Sequence, residues 1–441
     1  MLELTALCTK TYRSFNDREY LFFDGDQEYK IIAKDYLAIG SIYRLFCTQK
    51  GNSFVLDKFE SLSSSDSKSA YEKICKKIES KVSPESSLLL SNEDTLKFSE
   101  GLLTIAKKLF VAKKLNRPLL LRFHGDADGI CSAIAITSFL NCRTYQQNSA
   151  IYSVRDALFD IDQLGQDPNP LVVFVDFGSA KANFEGISIL QSAGVEVLIV
   201  DHHPYEEKPP CTYFNSVDHC ENGSKYPAGY LCSEIANILG SSKDSLMDLS
   251  KTACAADKSN VFEIDQKSID KALVLDFLCA HASFGNKLEF YKSVLSKNDL
   301  FDSLLVRSKD EIIASSNKAK RTIKESRIQK TRFFVFSLED SVTKGEWPPS
   351  SKVTTFIFEE LVKSFPSDPI VCIGTNPKTI ILRINDLAID QGFETNVIVE
   401  KLKSSMPDFI ESGGGHPKAG AIRVKEGFVK DVLNQILRSF D

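Results

Sequence analysis

His124-Gly125-Asp126-Ala127-Asp128-Gly129 separates an apolar run at 119–123 from a run of small residues at 130–136. The first run predicts a buried strand and the second a helix, so the acidic stretch forms the tight turn between them. In a doubly wound sheet, ligands bind where a strand ends in such a turn. Three of the side chains could bind a divalent cation, because imidazole nitrogen and carboxylate oxygen both suit Mn²⁺ or Mg²⁺. A solvated acidic turn is the alternative, and this stretch by itself leaves both open.

Two later apolar runs end in the same kinds of residue. The run at 171–175 is followed by Asp176, and the run at 195–200 by Asp201-His202-His203. Both runs predict buried strands, and parallel strands place their carboxyl ends at one edge of a sheet. Surface charge alone would not place candidate ligands at the same point of each unit. A further candidate, Asp257, follows a small apolar helix.

Taken together, these motifs resemble those of the DHH phosphoesterase superfamily. They occur in the family's order, with residues 124–129 first, then Asp176, the triplet at 201–203 and Asp257. Near the C-terminus, Gly413-Gly414-Gly415-His416-Pro417 resembles the GGGH loop of the DHH-associated domain. The arrangement is most similar to that of RecJ-like single-strand exonucleases. It resembles the archaeal type, because bacterial members commonly have Asp at the position of His124.

The resemblance implies two Mn²⁺ ions, with Mg²⁺ as a possible substitute, and gives each motif residue a role. One ion would be held by His124 and Asp126, the other by Asp128, His202 and Asp257, and both by Asp176. A water held between the ions would be the nucleophile in phosphodiester hydrolysis. His203 would face the substrate phosphate or the leaving group. Asp201 would fix an imidazole by a hydrogen bond, unless it only caps a helix.

The DHH-associated domain would bind the substrate. A run of three glycines is costly inside a strand or helix, so residues 413–415 predict a loop whose N–H groups could face an anion. A plain hairpin turn is the alternative. His416, Lys418 and Arg383 would add charge-assisted contacts to a phosphate. The catalytic domain would therefore cut, and this domain would hold the end being cut.

The N-terminal residues 1–62 alternate short strands with turns, in the order expected of a five-stranded OB-fold. Such folds hold single strands by basic grooves and aromatic stacking. The residues that could supply these contacts are Tyr12, Arg13, Tyr20, Phe22, Lys30 and Arg44. The alternative is that most of the aromatic residues fill a small barrel.

The whole chain is expected to be α/β, with a parallel-sheet DHH catalytic domain and a smaller α/β DHH-associated domain after the β-barrel. Residues 63–95 would form a serine-rich linker and a helix, 96–265 the catalytic domain, 266–330 a helical connector and 331–441 the DHH-associated domain. The end of the connector, 315–330, is strongly basic. It predicts either a face for a nucleic-acid strand or a solvated linker helix.

Composition limits the class of protein. The 441 residues are 43% apolar and carry a net charge of −5, so nucleic acid would need local basic faces and bound metals. The sequence shows neither an apolar run of membrane-spanning length nor a signal peptide, and we expect no membrane partner. The eleven cysteines lack paired spacing. They predict free thiols of a reducing cytoplasm and not disulfides or a zinc site.

Three functions remain open. The first is an exonuclease acting on single-stranded DNA or RNA in replication or repair, which the OB-like domain and the basic stretch favour. The second is a phosphodiesterase of nanoRNA or cyclic dinucleotides, whose family members generally lack an added OB module. The third is a replisome scaffold that binds the GINS complex. Non-catalytic relatives of that kind have typically lost metal ligands, and here the full set is present.

Overall fold

The computed structural model describes residues 2–13, 18–51, 53–83, 88–165, 168–281 and 288–438. The chain divides into two compact units. The first comprises the described residues up to Cys279 together with Leu288–Ser296, and the second comprises Ala280, His281 and the described residues from Lys297 onward. Among the described helices, none combines the length and the apolarity that a bilayer crossing requires. Each of the eleven cysteines is a free thiol that forms no disulfide bond.

A closed five-stranded barrel begins the first unit, which confirms the predicted small β-barrel. Its order is β1-β2-β3-β5-β4, formed by β1 (Leu2–Arg13), β2 (Arg18–Phe23), β3 (Glu28–Ala33), β4 (Ile42–Lys50) and β5 (Ser53–Ser61). Of the two alternatives for Tyr20 and Phe22, binding surface or barrel filling, the structure shows the second, because both fill the barrel interior. They occupy alternate positions of β2, which point inward.

The basic residues of the predicted barrel groove are largely neutralised. Lys30 lies 2.7 Å from Glu19, and Arg44 lies 3.7 Å from Glu3. Tyr12 is exposed as predicted. The side chain of Arg13 lies outside the described part of the structure. The barrel therefore offers a smaller nucleic-acid surface than its sequence suggested.

Two helices join the barrel to the rest of the unit. They are α1 (Ser64–Glu79) and α2 (Glu93–Lys114). The predicted serine-rich linker is wrong beyond Ser63, because this serine caps α1 by accepting a hydrogen bond from the Asp66 N–H at 3.2 Å. One apolar cluster spans the junction and contains Leu7, Phe23, Ile42, Ile74, Ile78, Val111 and Leu115. The barrel is thus packed onto both helices.

A five-stranded sheet follows in the first unit, and all of its strands are parallel, which confirms the predicted parallel sheet. Its order is β10-β9-β8-β6-β7, from β6 (Leu119–His124), β7 (Arg143–Gln147), β8 (Leu171–Val175), β9 (Glu196–Asp201) and β10 (Thr212–Asn215). The helices after α2 are α3 (Ala127–Phe139), α4 (Val154–Leu164), α5 (Phe184–Ser192), α6 (Ala228–Ile238), α7 (Lys243–Ala256), α8 (Gln266–His281) and α9 (Leu288–Ser296). The central strands are continuous apolar runs because the sheet is buried on both faces.

The second unit is a mixed six-stranded sheet with a helical layer on each face. The strands, in the order β11-β12-β13-β14-β16-β15, are β11 (Lys324–Ile328), β12 (Thr331–Ser337), β13 (Ile370–Asn376), β14 (Thr379–Ile384), β15 (Ile410–His416) and β16 (Ala419–Val424). The helices are α10 (Asn298–Lys320), α11 (Ser350–Ser364), α12 (Asp386–Ile389), α13 (Thr395–Ser405) and α14 (Val429–Arg438). This confirms the predicted second α/β sheet.

The helical prediction for 266–330 is wrong beyond Lys320. There α10 ends, and Lys324–Ile328 pairs with β12 as an edge strand. Ile328 enters the apolar core below the sheet, while the residues before it stay exposed. The backbone pairing with β12 therefore decides the conformation of this stretch, against its helical sequence pattern.

A buried ion pair interrupts the apolar run of β6. The guanidinium of Arg122 donates two hydrogen bonds of 2.6 Å to the carboxylate of Asp160. A third donor nitrogen reaches Gln147 at 2.7 Å, and the Tyr152 hydroxyl donates to Asp160 at 2.7 Å. Both buried charges are therefore paired and hydrogen-bonded, which is the condition for tolerating them in a core.

Removing one partner of this pair should be worse than removing both. Asp160→Ala leaves the Arg122 guanidinium buried without its carboxylate, and we expect the free energy of unfolding to fall by about 3–5 kcal/mol. Arg122→Met/Asp160→Leu buries no charge and should be more stable than the single variant. Urea unfolding of both variants measures the difference, and a double variant of lower stability would contradict this account.

Candidate metal centre

Three neighbouring strands of the parallel sheet end beside one another at its carboxyl edge. His124 ends β6, Asp176 follows β8, and Asp201 ends β9. Asp126 caps α3, and its Oδ1 accepts a hydrogen bond from the Gly129 N–H at 2.9 Å. The turn after β6 is therefore held by the start of its own helix.

One imidazole faces three carboxylates at this edge. His202 Nε2 lies 3.3 Å from Asp257 Oδ2, 3.4 Å from Asp176 Oδ1 and 3.6 Å from Asp128 Oδ2. The other imidazole nitrogen, Nδ1, lies 2.9 Å from the Ser224 carbonyl oxygen and donates to it. This contact fixes the ring so that Nε2 faces the carboxylates.

A second group of potential ligands shares one member with the first. His124 Nδ1 lies 2.6 Å from Asp126 Oδ2 and 3.6 Å from Asp176 Oδ2. The two oxygens of Asp176 thus point to different groups. The structure brings His124, Asp126 and Asp176 together in one group and Asp128, His202 and Asp257 in another. A third group joins Asp176 and His202 to His203.

The middle carboxylate has an environment that fits a cation. Asp176 is only 1% exposed, and neither of its oxygens has a hydrogen-bond partner among the described residues. His202 Nε2 is likewise buried without one. Leaving such groups unsatisfied is costly. Asp176 also adopts a positive φ of 66°, which most residues avoid. Hard divalent cations satisfy this donor set of oxygens and imidazole nitrogen.

The pKa shifts in the cluster also indicate that its carboxylates have too little positive charge around them. Burial, with the Asp128 carboxylate beside it, raises the pKa of Asp257 to about 7. Burial and the neighbouring Asp126 carboxylate also raise the pKa of Asp176. Burial would lower the pKa of His202, but Asp176 and the other carboxylates outweigh it and raise that pKa. Bound cations would relieve this crowding of negative charge.

Comparison with known proteins agrees with this geometry. Residues 120–253 match the family described as "DHH family, N-terminal domain". Residues 120–253 form a DHH domain. The curated relative, uncharacterized protein MJ1198 of Methanocaldococcus jannaschii, is 22% identical over 86% of this chain. The chain spans 59% of that protein's length.

Two solved structures share the fold. One is a DHH domain described as a member of a family of ribosomal proteins, with a TM-score of 0.68 and 21% identity. The match covers 86% of this chain and 99% of that one. The other is RecJ from Thermus thermophilus in complex with Mn²⁺, with a TM-score of 0.51 and 15% identity. It covers 77% of this chain and 54% of RecJ.

Asp201 holds in place the loop of the DHH domain that carries His202 and His203. Its Oδ1 accepts hydrogen bonds from the His202 N–H at 2.8 Å and the His203 N–H at 3.2 Å, and lies 2.8 Å from His203 Nδ1. Its Oδ2 accepts from the Ser179 N–H at 3.1 Å. All its contacts are with loops, so it orients His203 and does not cap a helix. The side chain of His203 remains 55% exposed and accessible to a substrate.

Asn215 is a positioning residue that the motifs did not indicate. It is fully buried, and its amide donates to the His203 carbonyl at 2.9 Å and to the Ser179 hydroxyl at 3.1 Å. The sequence feature that could have indicated Asn215 is its position as a polar residue at the end of a fourth parallel strand. That signal depends on knowing that β10 lies beside β9.

The N-terminus of α6 holds Asp128. The N–H groups of Ala228 and Gly229 donate to the two Asp128 oxygens at 2.9 and 2.7 Å. A Cβ at Gly229 would lie 2.8 Å from Asp128 Oδ1 and 2.6 Å from the Cβ of Ala253. Only glycine permits this close approach, another requirement that the family motifs did not reveal.

The glycine-rich segment of the second unit forms a strand, so the predicted loop is wrong. Residues 413–415 belong to β15 and pair with β16. Glycine is tolerated there because β15 is an edge strand in a tight hairpin. Gly415 has φ +151°, and a Cβ on it would lie 2.3 Å from the Ala419 carbonyl oxygen. A Cβ on Gly414 would meet nothing within 4 Å.

The predicted cations of this unit differ in availability. Lys418 Nζ lies 2.5 Å from Asp386, so its charge is already paired. Arg383 is half-buried and donates to the Thr355 hydroxyl at 2.9 Å and to the Leu382 carbonyl at 2.8 Å, with no carboxylate partner among the described residues. The side chain of His416 lies outside the described part. The ladder pairs Arg383 with Ala419 and Ala419 with His416, which puts these positions on one face.

Mn²⁺ should stabilise the folded DHH domain through Asp176. At a hundredfold excess over its Kd, a bound ion adds about 2.7 kcal/mol to the free energy of unfolding. Asp176→Asn should lose most of this gain, because it removes the shared charge. It should not destabilise the metal-free protein, because Asn tolerates positive φ. Thermal unfolding with and without Mn²⁺ measures both effects.

The matched control is Asp162→Asn, the same change at an exposed position of α4. It should keep the full gain. Equal stabilisation of wild type and Asp176→Asn would rule out the shared ligand.

Proposed function

We propose that this protein hydrolyses phosphodiester bonds of single-stranded nucleic acid with two divalent metal ions, Mn²⁺ better than Mg²⁺. The observation that carries the proposal is that the two oxygens of Asp176 face different ligand groups, Oδ2 lying 3.6 Å from His124 Nδ1 and Oδ1 3.4 Å from His202 Nε2. When bound, such ions activate a water and neutralise charge on the phosphate oxygens. His124, Asp126 and Asp176 would hold one ion, and Asp128, His202 and Asp257, with Asp176, the other.

The residues around the cluster have separate tasks in this proposal. Asp201 and Asn215 hold the loop that carries His203, and so set where its imidazole meets the substrate. Because His203 Nδ1 is engaged by Asp201, Nε2 is the nitrogen left for a phosphate oxygen or the leaving group. The α6 N-terminus fixes Asp128. These contacts reduce the reorganisation needed when substrate binds.

Two exposed tyrosines of the barrel favour a polymer over a dinucleotide. Tyr36 is 75% and Tyr12 42% exposed. Arg18 lies 5.2 Å from the ring centroid of Tyr36, and Lys10 lies 5.0 Å from that of Tyr12. Neither cation has an ion pair among the described residues. Exposed aromatic rings with adjacent free cations are the elements with which such barrels stack and hold single strands.

The second unit would bind a phosphate of the substrate. Arg383 offers a guanidinium without a carboxylate partner in the described ranges, on the same sheet face as the positions of Ala419 and His416. Gly414 leaves open space beside them. An anion in this position would complete the hydrogen bonding of Arg383.

The other two functions lack such support. A nanoRNA or cyclic-dinucleotide phosphodiesterase could use the same metal cluster but would have no use for the barrel tyrosines. A scaffold that only binds the GINS complex would have no use for the cluster itself. Hydrolysis of a single strand uses both.

Cleavage of end-labelled strands tests the proposal. Wild type with Mn²⁺ should shorten single-stranded DNA or RNA progressively from one end, and faster than it cleaves a dinucleotide. Asp176→Ala should abolish cleavage, while Asp162→Ala should leave it unchanged. Labels at either end show the direction. Cleavage by Asp176→Ala, or undiminished cleavage in chelator, would refute the metal-dependent mechanism.

Substitution of Arg383 should affect substrate binding and not the metal. A charge-assisted hydrogen bond contributes about 1.5–3 kcal/mol, so Arg383→Ala should raise KM by about tenfold or more. Gly414→Ala should also raise KM, because its Cβ would occupy the open space without disturbing the fold. Steady-state kinetics measure KM, and Mn²⁺-induced stabilisation should be unaltered.

Arg423→Ala is the control for Arg383→Ala. Arg423 lies on the neighbouring strand and is exposed, but it is paired with Glu411 at 2.8 Å. Its loss should leave KM nearly unchanged. Unaltered kinetics in both Arg383→Ala and Gly414→Ala would mean that the glycine-rich hairpin is only structural.

A further inference from the structure

A second basic surface lies in the second unit, where α10 ends and β11 follows. We call it the basic ridge and define it by four exposed cations, Lys318, Arg321, Lys324 and Lys330. Lys318 and Arg321 are one helical turn apart. Lys324 begins the edge strand, and Lys330 lies in the turn at its far end. The first and last of the five residues of β11 are four steps of about 3.3 Å apart, which is about 13 Å.

Ion pairing sets the ridge apart from its neighbours. The acids close to it are already engaged, since Glu360 contacts Lys320 and Asp368 lies 2.8 Å from Arg332. Glu325, the only acid within 318–330, also lies 2.8 Å from Arg332. None of the four ridge cations has an ion pair in the described ranges. The ridge therefore keeps its full positive charge on a chain whose net charge is −5.

The barrel groove shows the opposite arrangement. The sequence predicted strand binding by Lys30 and Arg44, and both are paired with glutamates. A cation that is already paired gains little from a phosphate, because a new contact replaces an existing one. The unpaired ridge therefore has more to gain from a polyanion than Lys30 and Arg44 of the barrel.

We infer that the basic ridge binds the sugar–phosphate backbone of the single strand outside the catalytic cluster. The inference rests on the proposed function and extends it to a second contact with the substrate. Several unpaired, exposed cations within residues 318–330 suit a ligand with repeated charges. An extended peptide is disfavoured, because lysines on an edge strand hinder the addition of another strand.

The salt dependence of binding measures the contribution of the ridge. The full-length variant Lys318→Gln/Arg321→Gln/Lys324→Gln removes three phosphate contacts. Each contact contributes about 0.7 to the slope of log K against log salt for single strands, so the slope should fall by about 2. Affinity for a labelled oligonucleotide at low salt should fall at least tenfold. Fluorescence anisotropy in chelator measures both without cleavage.

The control variant removes three exposed cations that are paired in the same unit. Lys378→Gln/Lys403→Gln/Arg423→Gln makes the same change in charge, but these residues contact Glu426, Glu400 and Glu411. Its slope should stay close to that of wild type. An unchanged slope in the ridge variant, or an equal fall in the control, would overturn the inference.

Two further measurements separate the possible failures. Displacement of the oligonucleotide by polyglutamate at equal charge concentration would point to an acidic protein and overturn the nucleic-acid assignment. Mn²⁺-dependent cleavage by wild type tests the proposed function on its own. If wild type binds through the ridge but cleaves nothing, the proposed function fails and the ridge assignment stands.

Discussion

The cost of burying carboxylates near one another governs the architecture of this protein. Asp128, Asp176 and Asp257 surround a single imidazole at the edge of the parallel sheet, and Asp176 has no hydrogen-bond donor among the described residues. The apolar strands bring these groups together, and in the metal-free chain their proximity opposes folding. A cation bound between the carboxylates would replace their mutual repulsion by attraction to the cation. The stability of the DHH domain and the chemistry proposed for it would therefore depend on the same atoms.

Hydrogen-bond donors separate structural acids from candidate ligands. Asp160 and Asp201 are as buried as Asp176, but each receives several donors from the protein. Within the described ranges Asp176 receives none, and its backbone is held at a positive φ. Unsatisfied buried groups in a native fold require an explanation, and a cation bound here would supply it. Partners also distinguish the cations of the second unit. Among the described residues Arg383 has no carboxylate partner, whereas Lys418 is paired with Asp386.

Because of ion pairing, the surfaces available to nucleic acid differ from those expected from the sequence. Lys30 and Arg44 looked available in the sequence, yet glutamates on neighbouring strands neutralise them. The basic stretch at 315–330 was an equal candidate for a solvated helix, and its last part proved to be an edge strand. Packing also removed Tyr20 and Phe22 from the binding surface. A strand places alternate residues on opposite faces, and one sequence does not show which face is covered.

The sequence by itself determined the parallel sheet, the barrel and the positions at which the candidate ligands stand. Apolar runs that end in acids and histidines define strand ends, and parallel strands bring those ends to one edge. Only the tertiary structure decided which candidate ligand atoms face each other, that the two oxygens of Asp176 face different groups, and that Asn215 and the α6 N-terminus hold the site. These contacts join residues far apart in the chain, between elements whose adjacency has no local signal. The glycine-rich strand is a similar case, because its conformation is set by pairing with β16 and not by the preference of glycine.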